Sequence, residues 1–321
     1  MIRRLLVASF LSLSAGAATV DVVLNTPTGA LHGTLLTPDA GNEPVPVALI
    51  IAGSGPTDRD GNSTLLPGAN DSLLMLAEAL ERNGVASVRY DKRGVGESRD
   101  AAPSESELRF DTYVDDAVAW LAQLRAGGRF SSVHVVGHSE GSLIAILAAQ
   151  RAGVARVVSI AGAGYPAGDV ILRQLEGKVS PELLSAARNI VTELKAGRTV
   201  ANPPAALNAL FRPSIQPYLI SWFRYDPAAE IARLEVPVLI AQGTTDIQMS
   251  PDDAARLAGG ARNGTLLVIE GMNHVMKDVP QDPAMQERSY SDPSFPLDPT
   301  LASAAGTFIN ARPKRRAARH E

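Results

Sequence analysis

The sequence predicts an α/β protein: a mostly parallel, doubly wound sheet with a helical cap inserted late in the chain. Three observations carry this. Short apolar runs bounded by turn residues alternate with helical stretches of ten or more residues, as βαβ units require. One run, 45–52, is apolar almost throughout, which suits a central strand covered on both faces. From 165 to 234 the strand-like runs stop and only helical periodicity continues.

The elements follow in order. Arg3 and Arg4 precede an apolar run over 5–13, and Ala15-Gly16-Ala17 then supplies small residues. This predicts a signal peptide over 1–17 and export to the periplasm or beyond. The run is too short for a membrane helix, which needs ~20 apolar residues, so no stable span is expected. Strands are expected over 20–24 and 30–36, joined by a Pro27-Thr28-Gly29 turn. The run over 45–52 comes next. A helix over 71–83 follows, with Asn70 or Asp71 as cap and Gly84 as stop. Then come a strand over 85–90, a helix over 110–125 ended by Gly127-Gly128, a strand over 132–136, a helix over 141–151 and a strand over 156–161. The cap holds expected helices over 181–195, 203–211 and 215–223. Strands over 236–242 and 265–269 and a helix over 300–310 close the chain. The expected core is therefore 18–164 and 235–312, the cap 165–234, and 313–321 a basic tail.

Composition narrows the function. Of 321 residues, 45% are hydrophobic and 20% charged, which excludes wholesale disorder. Net charge is −4, yet the last ten residues carry +4, so the rest holds −8. No overall basic field favours nucleic acid, and the tail reads as a solvated terminus. The chain has no cysteine, which excludes disulfides and thiolate zinc sites. Asp58-Arg59-Asp60-Gly61-Asn62 resembles a calcium loop, but its glycine is misplaced and Ala69 stands where the twelfth-position Glu belongs. Gly94-Val95-Gly96 does not continue into a dinucleotide fingerprint, and no Walker pattern occurs. Neither metal nor cofactor is expected. The loop over 90–98 is read as a turn with buried charge pairing.

The chemistry lies in Gly137-His138-Ser139-Glu140-Gly141, a G-x-S-x-G between an apolar strand and a helix. That context is a nucleophile elbow, which lifts Ser139 above the sheet edge. Small residues at Gly137 and Gly141 let the sharp turn avoid neighbouring backbone. A serine nucleophile needs a base, and the base an orienting acid. Of five histidines, His32 falls in an early strand, His134 inside the strand before the elbow, His138 within the elbow as a support, and His320 in the tail. His274 remains, on a loop past the last strand, at the strand end where open α/β sheets place their sites. Asp246, on the loop after the strand over 236–242, is the expected acid. Asp252 and Asp253 read instead as first-turn helix residues, and Asp226 precedes a proline. The oxyanion hole is assigned to the amide of Glu140 and that of Ser54 or Gly55, since Pro56 has no N–H. Tyr218, Trp222 and Phe223 are candidate pocket residues.

Together, Gly53 to Asn62, Arg89 to Gly94, the elbow and Met272-Asn273-His274 resemble the α/β-hydrolase family. More narrowly they resemble a bacterial serine carboxylesterase group of the S9-like or dienelactone-hydrolase-like kind. The resemblance spans about 31–307 and implies hydrolysis of short acyl esters, with a small-molecule ester as partner. Ser142 stands where that pattern has a second glycine. Dienelactone hydrolases proper often use a cysteine nucleophile, which this chain lacks. Two function classes follow. One is a serine carboxylesterase for short-to-medium acyl esters, with peptidase and acyltransferase as chemical neighbours. The other is a non-catalytic binding protein on a hydrolase scaffold. Nothing in the sequence bears on oligomeric state.

Overall fold

The computed structural model describes residues 18–41, 43–102 and 104–311. The expected signal peptide and the basic tail lie outside them. Two antiparallel strands, β1 (Ala18–Thr26) and β2 (Gly29–Thr37), come first among the described residues. Then come β3 (Val47–Ile51), α1 (Ser72–Arg82), β4 (Ala86–Tyr90), α2 (Phe110–Ala126), β5 (Val133–His138), α3 (Glu140–Ala152) and β6 (Val157–Ile160). After an insertion follow β7 (Val238–Gly243), α9 (Pro251–Gly260), β8 (Gly264–Ile269), α10 (Pro283–Ser289) and α11 (Pro299–Asn310). The sheet order is β1-β2-β4-β3-β5-β6-β7-β8. Only the β1–β2 and β2–β4 pairings are antiparallel.

The central strand explains the two layers. Successive side chains of a strand point to opposite faces. Val47, Leu49 and Ile51 belong to the core layer that holds α2, α3 and α9, while Ala48 and Ile50 belong to the layer that holds α1 and α11. Every residue of β3, β4, β5, β6 and β7 is buried. The apolar run over 45–52 thus contains a shorter strand, preceded by Pro46, which cannot donate to a ladder.

The insertion between β6 and β7 is helical: α4 (Ala167–Leu175), α5 (Pro181–Lys195), α6 (Asn208–Phe211), α7 (Gln216–Trp222) and α8 (Pro227–Ile231). The expected helix over 203–211 breaks down to a 3₁₀ turn, Ala205–Leu207, and the single turn of α6. Pro203 and Pro204 precede it, and neither has an N–H to give. Helices α4 and α8 have no counterpart among the sequence expectations. In α5 the cap is plain: Ser180 accepts from the Leu183 amide and Pro181 occupies the first turn. Aromatic contacts tie the insertion to the core. Phe110 of α2 stacks on Trp222 at 5.6 Å between ring centroids, and Tyr113 meets Tyr218 edge-on at 5.7 Å. Each such pair contributes about 0.5–1.5 kcal/mol beyond its buried area.

Candidate active site

At the end of β5 the chain turns so sharply that Ser139 has φ 56° and ψ −120°, a left-handed conformation unfavourable to any residue with a Cβ. Close approach dictates the flanking glycines. A Cβ on Gly137 would lie 2.1 Å from the Gly141 carbonyl oxygen, and one on Gly141 would lie 2.3 Å from that of Ile51. The Ser139 amide donates to the Ile160 carbonyl at 2.9 Å, fixing the turn against β6. Ser142 lies beneath the elbow with its hydroxyl 2.6 Å from that of Ser159, in the core and off both cavities described below.

Loops at the carboxyl ends of β7 and β8 bring Asp246 and His274 to this serine. His274 Nε2 lies 3.2 Å from Ser139 Oγ, and its Nδ1 lies 2.9 and 3.1 Å from the Asp246 carboxylate oxygens. A carboxylate only accepts, so Nδ1 carries the proton and Nε2 presents its lone pair to the serine hydroxyl. Burial pushes the Asp246 carboxyl upward. The His274 ring and the amides of Met249 and Gln248 outweigh that and hold it below the usual carboxylate range. Gln242, in β7, adds a hydrogen bond from Nε2 to Asp246 at 3.0 Å.

The other candidates are engaged elsewhere. Asp253 accepts from the Ser250 amide to cap α9 and pairs with Arg173. Asp252 accepts from the Tyr165 hydroxyl, and Asp226 caps α8 and pairs with Arg256. His32 lies on β2. His134 is buried in β5 beside the Ser132 hydroxyl. His138 touches the site: its Nε2 donates to the His274 carbonyl at 2.7 Å and so braces the base from behind. Burial, then the neighbouring His274 ring, pushes the His138 imidazole down to about 4, so it stays neutral. His320 lies outside the described residues.

Gly53 marks the closest approach of the β3 loop, since a Cβ there would lie 3.3 Å from that of Ser139. Ser54 lines the space on both sides of the serine, while Gly55, at φ 74°, lines one. The loop beyond is held by its own charges. Asp58 accepts from the amides of Asp60 and Asn62, and Arg59 pairs with Asp91 and Glu97. The calcium-like pattern is thus an internally bonded turn.

Sequence reasoning used Glu140 only for its amide and missed its side chain. That carboxylate is buried, 3.1 Å from Lys92 Nζ and 2.8 Å from the Tyr218 hydroxyl. Lys92 is buried too and also donates to the Gly53 carbonyl. Burial, then the Glu140 charge, drives the Tyr218 phenol well up, so its proton stays to be donated. One network therefore joins the β3 loop, the elbow and helix α7. Its signal in the sequence was the charged loop over 90–98, which shows a need for partners without naming them.

Two cavities meet at Ser139. The smaller, about 200 Å³, includes His274, Thr57, Asn70, Ser72, Gln248 and Tyr290. The larger, about 350 Å³, runs beneath the insertion past Glu140, Leu143, Val170, Ile215, Leu219 and Trp222. Tyr218 and Trp222 both line the larger one. Phe223 does not: it is buried toward α4, where a Cβ on Gly168 would meet its ring at 3.4 Å. Residues 218 and 222 are one helical turn apart and share a face, and 223 is rotated off it.

A profile described as "Alpha/beta hydrolase family" matches residues 65–287. Esterase EstD of Thermotoga maritima is 29% identical over 259 residues, which are 80% of this chain and 59% of that protein. The chain thus spans less than two thirds of that relative's length. Among solved structures, Est1E from Butyrivibrio proteoclasticus with bound ferulic acid is similar in fold, with a TM-score of 0.58 at 16% identity. That match covers 90% of this chain and 97% of Est1E. Dienelactone hydrolase from Anabaena variabilis has a TM-score of 0.52 at 15% identity, over 91% of this chain and 97% of that one.

Proposed function

The chain belongs to the alpha/beta hydrolase family, and on that premise we propose that it is a serine carboxylesterase for short-to-medium acyl esters. The observation that carries this is the single imidazole of His274, in reach of Ser139 Oγ on one side and the Asp246 carboxylate on the other. Ser139 Oγ attacks the ester carbonyl as His274 Nε2 takes its proton. The amides of Glu140 and of Ser54 or Gly55 stabilise the oxyanion. The C–O bond to the alcohol then breaks, and the alcohol leaves with the proton from His274. Water, deprotonated by the same nitrogen, attacks the acyl-enzyme and releases the acid, regenerating Ser139. The esterase name of the Thermotoga relative supports this reading.

In the same proposal the insertion over 165–234 acts as a cap over the acyl group, and the arginine-led apolar segment over 1–17 supports export. A fluorophosphonate probe tests the reading against a non-catalytic scaffold. Labelling of the wild type, absent in Ser139→Ala, together with hydrolysis of 4-nitrophenyl butyrate is the expected result. An unlabelled wild type would defeat it.

A further inference from the structure

We infer that the substrate is an ester of an apolar acid with a polar, hydroxyl-bearing alcohol, each half recognised by its own cavity. This rests on the esterase reading and assigns the two sides of Ser139. The proton taken by His274 must be handed to the departing oxygen, so the alcohol leaves on the side that His274 lines. That side is the smaller cavity. Beside Leu66 and Val275 it is lined by the polar side chains of Thr57, Ser63, Asn70, Ser72, Gln248 and Tyr290. Gln248 Nε2 donates to the Tyr290 hydroxyl at 3.1 Å. This leaves the phenol proton to donate and Gln248 Oε1 to accept. Burial pushes the Tyr290 phenol up, so it remains a donor through neutral and mildly alkaline pH.

The acyl group then lies on the Glu140 side, in the larger cavity. Leu143, Val170, Ile171, Ile215, Leu219 and Trp222 form its walls. The polar side chains that also line it are engaged with protein partners: Arg212 with Glu105, Tyr165 with Asp252, Tyr218 with Glu140 and Gln174 with the Gln248 carbonyl, while the Gln248 side chain borders both cavities. Leu65 and Leu210, 77% and 38% exposed, extend the apolar surface along the same cavity. An apolar acyl chain gains by leaving water there, whereas a hydroxyl on it would lose its hydrogen bonds. In the smaller cavity the balance reverses, because an apolar alcohol would leave the Tyr290 proton and Gln248 Oε1 unpaired.

Three esters of matched size separate the halves: 2,3-dihydroxypropyl hexanoate, propyl hexanoate and propyl 6-hydroxyhexanoate. Each kcat/KM is divided by that ester's own hydroxide-catalysed rate, which removes intrinsic reactivity. The dihydroxypropyl ester is expected to exceed propyl hexanoate by roughly fivefold or more, and propyl hexanoate to exceed its 6-hydroxy analogue by about tenfold. Tyr290→Phe is expected to cut the first ratio about threefold and leave the second as it was. Equal or inverted ratios, or a first ratio unmoved by Tyr290→Phe, would overturn the assignment of the cavities while the esterase reading stands. Failure to hydrolyse any of the three would remove the esterase reading and this inference together.

Discussion

Ser139 combines two demands that oppose each other. Its hydroxyl must face His274, and to present it the backbone adopts φ 56°. Strain of this kind amounts to about 1–3 kcal/mol for a residue with a Cβ. Ser139→Ala keeps the strain and loses the nucleophile, so kcat should fall by several orders of magnitude with stability little changed. Ser139→Gly should be as inactive yet more stable than Ser139→Ala by about 1 kcal/mol, measurable by urea denaturation. A glycine variant no more stable than the alanine one would mean that the elbow stores no strain. Asp246→Asn should lower kcat on the order of 10³–10⁴-fold at neutral pH, because an amide favours the wrong His274 tautomer and brings no charge to the imidazolium. Equal damage from Asp252→Asn or Asp253→Asn, with Asp246→Asn harmless, would move the acid to α9.

Between elements, the seam that matters joins helix α7 to the elbow. Tyr218 brings the only contact from the insertion to the buried Lys92–Glu140 pair among the described hydrogen bonds. Removing one partner from a buried charged group leaves that group under-solvated, which costs more than the bond contributed. Tyr218→Phe preserves the ring contacts with Phe110, Tyr113 and Trp222 while deleting the hydroxyl. It should destabilise the fold by about 1.5–3 kcal/mol. An unchanged denaturation midpoint would show that the pair needs no third member. The sequence offered Tyr218 as a pocket candidate on an expected helix, but its partner, 78 residues earlier in the chain, has no local signature.

Across the whole molecule, two buried histidines link stability to pH. Burial, then the charge of Arg156, lowers the His134 imidazole to about 4, and His138 also stands at about 4, against an ordinary value of 6.5. The unfolded chain therefore takes up protons near 6.5 that the folded chain refuses until about 4. Stability is full above pH 7, falls as pH drops through 6.5, and levels off below about 4. From pH 7 to 5 each histidine accounts for about 2 kcal/mol. Urea midpoints across this range should fall accordingly, and His134→Gln should flatten part of the slope. A midpoint constant from pH 7 to 5 would show both imidazoles to be solvated.

The chain's local chemistry was enough to reveal the alternating architecture, the elbow, and the loops bearing Asp246 and His274. Strand periodicity, glycine spacing and position after a strand are properties of neighbouring residues, and each is written within a few positions. The same holds for the helix over 181–195, whose bounds α5 reproduces. What the tertiary structure alone decided is of a different kind. Lys92 reaches Gly53 and Glu140 across 39 and 48 residues, Gln242 steadies Asp246, and Phe223 turns away from the cavity that Tyr218 and Trp222 line. The polar and apolar cavities draw their walls from the β3 loop, the insertion and the loops after β7 and β8. Side chains so far apart along the chain share no period or spacing. Only the folded sheet, by bringing the carboxyl ends of its strands to one edge, puts them on opposite sides of one serine.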